Sequence, residues 1–293
     1  MRTKDIVKKV IPKTAFLKLK HYYLKYKKSR IPVLHEEEFR NILTEKLGVK
    51  KGSVVFIHSS TGNMNLGFPA YKMLSIILEV IGEEGTALFP CHQLTTKSTY
   101  ALQNNIPFDV KKTPSDVGLL PELVRFHKKA VRSLHPTNSV VAIGKYADEL
   151  TREHHLDIYP CGIHSPYYKI TEYDGIILGL GVSIDVLTFV HTIEDIMKDN
   201  FPVFARDEEI YHGKIVNEYK EEIIVDTLIA SVNLQHRNVG KFINKHISKE
   251  ICSEIKINKV LYFQVKANSF LNNMIKLAKN NLTIYKKKVY KFK

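Results

Sequence analysis

Cysteine is scarce in this chain: Cys91, Cys161 and Cys252 are the only three among 293 residues. Three scattered thiols cannot form the paired framework of a small secreted domain, and an odd number of free thiols fits a reducing compartment. Also missing is any apolar run of the roughly 18–20 residues needed to span a bilayer. The N-terminus is basic, but no continuous apolar segment follows it, so a secretory signal is not expected and a cytoplasmic protein is. No internal repeat and no low-complexity linker interrupts the chain, which therefore reads as one domain. With 44% hydrophobic and 25% charged residues it can bury a sizeable core, which excludes a disordered or fibrous protein.

Charge is present in excess but unevenly placed. The formal net charge is +14. Residues 1–35 hold eleven Lys and Arg against one acid, Asp5, and residues 281–293 hold Lys286, Lys287, Lys288, Lys291 and Lys293 with no acid. These two ends account for the excess and leave a nearly neutral body. A nucleic-acid binder more often carries its charge on the folded face, so specific nucleic-acid binding is not expected. In the first segment Phe16, Leu19, Tyr23 and Tyr26 recur at helical spacing among lysines. That pattern suits contact with an anionic membrane surface, or else a helix packed on the body or a partner.

The body alternates buried strands with amphipathic helices, the signature of an α/β domain. Strands are expected at Val54–Ile57, Thr86–Phe89, Val140–Ile143 and Gly175–Leu178, all apolar on both faces. Helices are expected at Glu36–Leu47, Pro69–Ile81, Val117–Phe126 and Asp185–Met197. After about Phe204 a short β-rich excursion is expected, with a turn at Tyr211–Lys214.

Polar residues collect where these strands end, and in open α/β sheets ligands sit at the carboxyl edge. His58-Ser59-Ser60-Thr61 supplies hydroxyls and backbone N–H groups that can stabilise an oxyanion or grip a phosphate; such clusters also cap turns. Ser115 precedes an expected helix start and reads as an N-cap or as a contact for a cofactor pyrophosphate. His135, fixed in direction by Pro136, is a candidate proton acceptor, against the alternative of a histidine capping a strand end. His191 and Glu194 share a helix face at i and i+3, where a carboxylate can orient an imidazole or hold an ammonium. Three signals fail. Gly179-Leu180-Gly181 lacks the third glycine of a dinucleotide fingerprint, because Ile184 stands there. His154, His155, Cys161 and His164 match no zinc spacing, so no metal site is expected. Cys91 and His92 are adjacent on an extended segment and point apart.

The ordered blocks His58-Ser59-Ser60, Gly82–Pro90, Phe108-Asp109, Pro114-Ser115 with Gly118, Arg132–Pro136 with Ser139, Ser165-Pro166, Gly175–Gly181 and His191 with Glu194 resemble the aminoglycoside 3-N-acetyltransferase family. The resemblance covers about residues 36–200 and extends more weakly to about 280. It implies a three-layer α/β/α sandwich and an acyl-CoA co-substrate, acetyl-CoA first of all. It divides the chain into a basic extension (1–35), an acyltransferase domain (36–280) and a lysine-rich tail (281–293). It also implies roles: His135 as catalytic base with Glu194 as its acidic partner, and Ser59, Ser60 and Thr61 at the thioester oxyanion. His58, Ser59, Ser60 and Ser115 would contact the cofactor, and Asp109, His191 and Glu194 the acceptor.

The mechanism expected is direct transfer in a ternary complex. The base takes a proton from the ammonium, the amine attacks the thioester, and a thiolate leaves. The resemblance also admits members that acylate amino sugars, nucleotide-linked ones among them, for surface polysaccharides, and the basic ends and the absence of acids from Gln93–Asn105 favour that branch over a polycationic antibiotic. An aminoglycoside antibiotic as acceptor is the alternative. A non-catalytic basic protein that binds the membrane surface is the alternative of another class.

Overall fold

The computed structural model describes residues 28–231 and 237–285, together with Thr14, Ala15, Lys18, Leu19, Tyr22 and Tyr26. Phe16 and Tyr23 of the amphipathic stripe and the lysines of the tail lie outside the described residues; Leu19 and Tyr26 are exposed.

The strands are β1 Val54–Ser59, β2 Thr86–Pro90, β3 Phe108–Asp109, β4 Val131–Arg132, β5 Val140–Gly144, β6 Ile176–Leu180, β7 Arg206–Val216, β8 Glu222–Ala230, β9 Cys252–Ile257 and β10 Val260–Lys266. Seven of them form one sheet in the order β4-β5-β2-β1-β6-β10-β9. Its centre is parallel, with β1 flanked by β2 and β6, while β5 and β10 join antiparallel on either side. Alternation along β1 divides the core in two. Val55 and Ile57 face one layer, which holds Met73, Ile77, Leu120 and Val124; Val54 and Phe56 face the other, with Tyr167, Ile193 and Phe270. Helices α1 Glu36–Asn41, α2 Ala70–Ile81 and α4 Leu119–Arg125 build the first layer. The second layer is built by α5 Ala147–Thr151, α6 Pro166–Lys169, α7 Val190–Met197, α8 Val239–His246 and α9 Ala267–Lys279. This is the three-layer α/β/α arrangement. Helix α3, Thr95–Gln103, stands outside the layers and packs on β7.

A second sheet, β3-β7-β8, closes a small core of Phe108, Val110, Ile215 and Val225. Its hairpin corrects the expected turn. Tyr211–Lys214 lies inside β7, and the chain reverses at 217–221, where Asn217 Oδ1 accepts from the N–H groups of Tyr219 and Glu221. Gly213 marks a close approach instead, since a Cβ there would sit 2.8 Å from the Pro136 ring. The glycine pair after β6 also has a packing explanation. A Cβ on Gly179 would strike the Phe263 ring at 2.1 Å, and Gly181 adopts φ +73° with Ser60 O 2.7 Å from where its Cβ would be. The helix expected over Asp185–Met197 is interrupted: a short turn spans Ile184–Val186, Leu187 is extended, and α7 begins at Val190.

Candidate active site

Two cavities meet at the carboxyl edge of the parallel strands. The larger, about 530 Å³, is a slot between the end of β1 and the segment 116–119. His58, Ser59, Ser60, Thr61 and Gly62 form one wall, and Asp116, Val117, Gly118 and Leu119 the other. The smaller, about 160 Å³, lies between α7, β8 and Thr137-Asn138. His92, Val186 and Thr188 line both, so a group in one can reach a group in the other.

His191 lines the smaller cavity. One turn along α7, Glu194 accepts its Nδ1–H at 2.7 Å. That bond fixes the tautomer and leaves Nε2 as a lone pair, which accepts a hydrogen bond from Arg237 at 2.6 Å. Glu194 is 4% exposed, and its second oxygen accepts from the Tyr285 hydroxyl at 2.5 Å. Burial pushes its pKa upward, but His191, Arg206 and Tyr285 more than offset this and hold it below the ordinary carboxylate value. The neighbouring Asp195 takes both arms of Arg206 at 2.7 Å and the Cys161 N–H, which ties α7 to β7. An imidazole backed by a buried carboxylate, with its other nitrogen toward a cavity, is the geometry of a general base.

His135, the base expected from the resemblance, does not have that geometry. It is fully buried and lines neither cavity. Its Nδ1 accepts from the N–H groups of Asn138 at 3.1 Å and Thr137 at 3.3 Å, and its Nε2 lies 3.5 Å from Thr227 Oγ1. The ring stacks on His154 at 4.5 Å. Burial, then the nearby His154 and Arg206, lowers its pKa well below 6.5. The carboxylate of Glu194 is bonded to His191 and Tyr285 instead. The His135 side chain points inward, where the imidazole pins the 135–138 turn.

The other expected residues divide. His58 Nε2 and Ser59 Oγ are buried at the wall of the slot without a hydrogen-bond partner. Burial lowers the pKa of His58 to about 3, so its imidazole is neutral. Ser60 and Thr61 line the slot, but the Ser60 N–H is spent on Leu180 O and is not free for an oxyanion. Ser115 is not on the wall: its N–H goes to Glu122, its hydroxyl accepts from Val117 N–H, and Asp116–Leu119 face the slot instead. Asp109 lines neither cavity, since its carboxylate caps the backbone N–H groups of Lys111 and Lys112. Cys91 is buried and burial raises its pKa, so it is no nucleophile at neutral pH. Among the described residues no cluster of three metal ligands is assembled; His154 is committed to Ser133 and to Pro160 O.

Residues unassigned from the sequence complete the site. His92 stands where the cavities join, its tautomer set by donation from Nδ1 to Gln93 O at 2.8 Å. Thr188, Arg237 and Tyr285 surround the His191–Glu194 pair. Thr188 lies three residues before His191, within reach of a helical-face argument. Arg237 and Tyr285 come from 46 and 91 residues further along the chain, and no periodicity signals them.

The model of the family described as aminoglycoside 3-N-acetyltransferase matches residues 56–278. The chain belongs to the aminoglycoside 3-N-acetyltransferase family. Among relatives of this N-acetyltransferase family, the SPbeta prophage-derived aminoglycoside N(3')-acetyltransferase-like protein of Bacillus subtilis is 25% identical over 218 residues, covering 67% of this chain and 80% of its own. Aminoglycoside N(3)-acetyltransferase IX of Micromonospora chalcea is 26% identical over 203 residues, covering 60% and 68%. The likeness extends to fold. Aminoglycoside acetyltransferase AAC(3)-Xa superposes with a TM-score of 0.73 at 20% identity over 91% of this chain and 99% of that one. AAC-IIIb, solved as a binary complex with CoASH, gives 0.70 at 18% over 87% and 100%.

Proposed function

We propose that this family member transfers an acetyl group from acetyl-CoA to the amine of an amino-sugar acceptor, with His191 as general base and Glu194 as the carboxylate that orients it. One observation carries the reading: the Nδ1–H of His191 is locked on buried Glu194 while the ring lines a cavity that shares His92, Val186 and Thr188 with a second, larger one.

Acetyl-CoA supplies the acetyl thioester. Its pantetheine arm would lie in the slot, which is partly apolar at Val117, Leu119 and Val182 and edged by Ser59 Oγ and His58 Nε2, both without a hydrogen-bond partner. The acceptor amine is an ammonium at neutral pH and must lose a proton before it attacks. His191 Nε2 takes that proton, and Glu194 stabilises the imidazolium that forms. The Tyr285 hydroxyl keeps the carboxylate in place by donating to its second oxygen. His92 and Thr188 lie at the junction, where the attacking nitrogen and the thioester carbonyl would meet.

For the acceptor, the family and relatives such as the Micromonospora enzyme support an aminoglycoside amine better than a nucleotide-linked sugar for polysaccharide synthesis. A second reading has one observation in its favour. No aspartate or glutamate lines the smaller cavity among the described residues, whereas Arg206 and Arg237 do, and a polycation would meet no countercharge there. Thiol release from acetyl-CoA, followed with kanamycin-like aminoglycosides and with nucleotide-linked amino sugars and joined to product masses, tests both. Acetylation of either class supports acyl transfer. Absence of thiol release with every amine, from a folded protein that binds CoA, refutes it.

A further inference from the structure

The lone pair that the proposed reaction needs is covered. Arg237 donates from Nη1 to His191 Nε2 at 2.6 Å, and a guanidinium keeps its charge at any working pH. Among the described residues this is its one side-chain hydrogen bond, and no carboxylate pairs with it. The two nearest acids are already engaged. Glu194 holds His191 and Tyr285, and Asp195 holds Arg206 and the Cys161 N–H. Asp195 offsets the charge of Arg206, whereas Arg237 faces the Glu194 carboxylate only across the neutral His191 ring and borders a cavity that no acid lines among the described residues.

A neutral imidazole nitrogen is a poor partner for such a fork, which matches a carboxylate or a phosphate through two parallel hydrogen bonds. We propose that Arg237 determines acceptor specificity by pairing with an acidic group, carboxylate or phosphate, carried by the amine acceptor. In turning onto that group it uncovers His191 Nε2. An acceptor without the acid must displace the guanidinium with no compensating partner, and a polycation meets like charge beside the base. The proposal deepens the acetyl-transfer reading and rests on it.

The experiment compares acetylation of glucosamine 1-phosphate, an amino-sugar uronic acid, the uncharged methyl glycoside of glucosamine, and kanamycin, by wild type and by Arg237→Gln and Arg237→Lys. Arg237 is exposed, so both variants should fold, as melting curves will check. Wild type is expected to favour one acidic acceptor over the methyl glycoside by about 30-fold or more in kcat/KM, in line with a charge-assisted bidentate pair. The phosphate and carboxylate arms show which acid is read. Arg237→Gln should collapse that ratio, mainly through KM, and Arg237→Lys should restore only part of it. Equal rates on acidic and neutral sugars, or a ratio unchanged in Arg237→Gln, overturn the specificity role and leave acetyl transfer standing. Calorimetric binding of glucosamine 1-phosphate separates the remaining cases. Arg237-dependent binding without acetylation of any acceptor would sink the transfer reading and keep the anion site, and neither binding nor turnover would sink both.

Discussion

Replacing Glu194 by glutamine removes one buried charge and little volume, and its effect can be worked from the site. The carboxylate oxygen lies 2.7 Å from His191 Nδ1, inside a helix face where Glu194 is 4% exposed. Two unit charges about 4 Å apart attract by about 4 kcal/mol at an effective dielectric of about 20. If between half and all of the imidazolium charge has developed at the transition state, the loss lies between about 2 and 4 kcal/mol, or roughly 30- to 1,000-fold in rate. A glutamine could also reverse the tautomer by presenting its amide N–H₂ to Nδ1. Arg237 opposes this, because a protonated Nε2 would face its N–H at a distance of 2.6 Å. The electrostatic loss should therefore dominate. Thiol release at saturating acetyl-CoA, with the fold checked by circular dichroism, measures it. A folded Glu194→Gln protein whose kcat/KM stays within about threefold of wild type would refute the reasoning.

Other expectations follow from buried histidines and from the turn at the slot. Burial lowers the pKa values of His58 and His154 to about 3 each, from an ordinary 6.5. The unfolded chain therefore binds protons below pH 6.5 that the native chain refuses, so their contribution to stability is level above 6.5 and is lost as pH falls. At pH 5 each histidine costs about 2 kcal/mol, and Tm should drop clearly between pH 7 and 5; equal Tm values would contradict the neutral buried assignment. Gly181→Ala places a methyl group against Ser60 O at a left-handed φ. It should cost about 1–3 kcal/mol in thermal unfolding and raise KM for acetyl-CoA, since Ser60 lines the slot; a variant unchanged in both would show that the turn tolerates a side chain.

Much of the layer architecture is legible in the sequence because its central strands are buried on both faces. Val54–Ile57 and Thr86–Phe89 are apolar without alternation, and the structure extends them only to Ser59 and Pro90. The outer strands are harder. β9 alternates Glu254 and Lys256 with half-buried residues at the sheet edge and is no continuous apolar run; β10 follows it through a two-residue turn and pairs antiparallel with β6. Gly213 looked like a turn because glycine usually marks one, yet here it makes room for Pro136. At the site, the i,i+3 spacing put His191 beside Glu194, which is local geometry. Whether His135 points to a cavity or to the core depends on what lies across from it, and His154 and Thr227 are distant in sequence. Arg237 and Tyr285 reach the pair through tertiary packing alone.

The central claim is that His191, and not His135, takes the proton. The most direct measurement is turnover of His191→Gln and His135→Gln side by side, each checked for a folded state and for CoA affinity. His191→Gln is expected to fold, to bind CoA normally, and to lose about 100-fold or more in kcat. His135→Gln is expected to lower Tm through the lost 135–138 turn contacts while the folded fraction keeps most of its turnover. A His191→Gln enzyme with near-normal kcat, beside a stably folded His135→Gln enzyme that is inactive, would contradict the account.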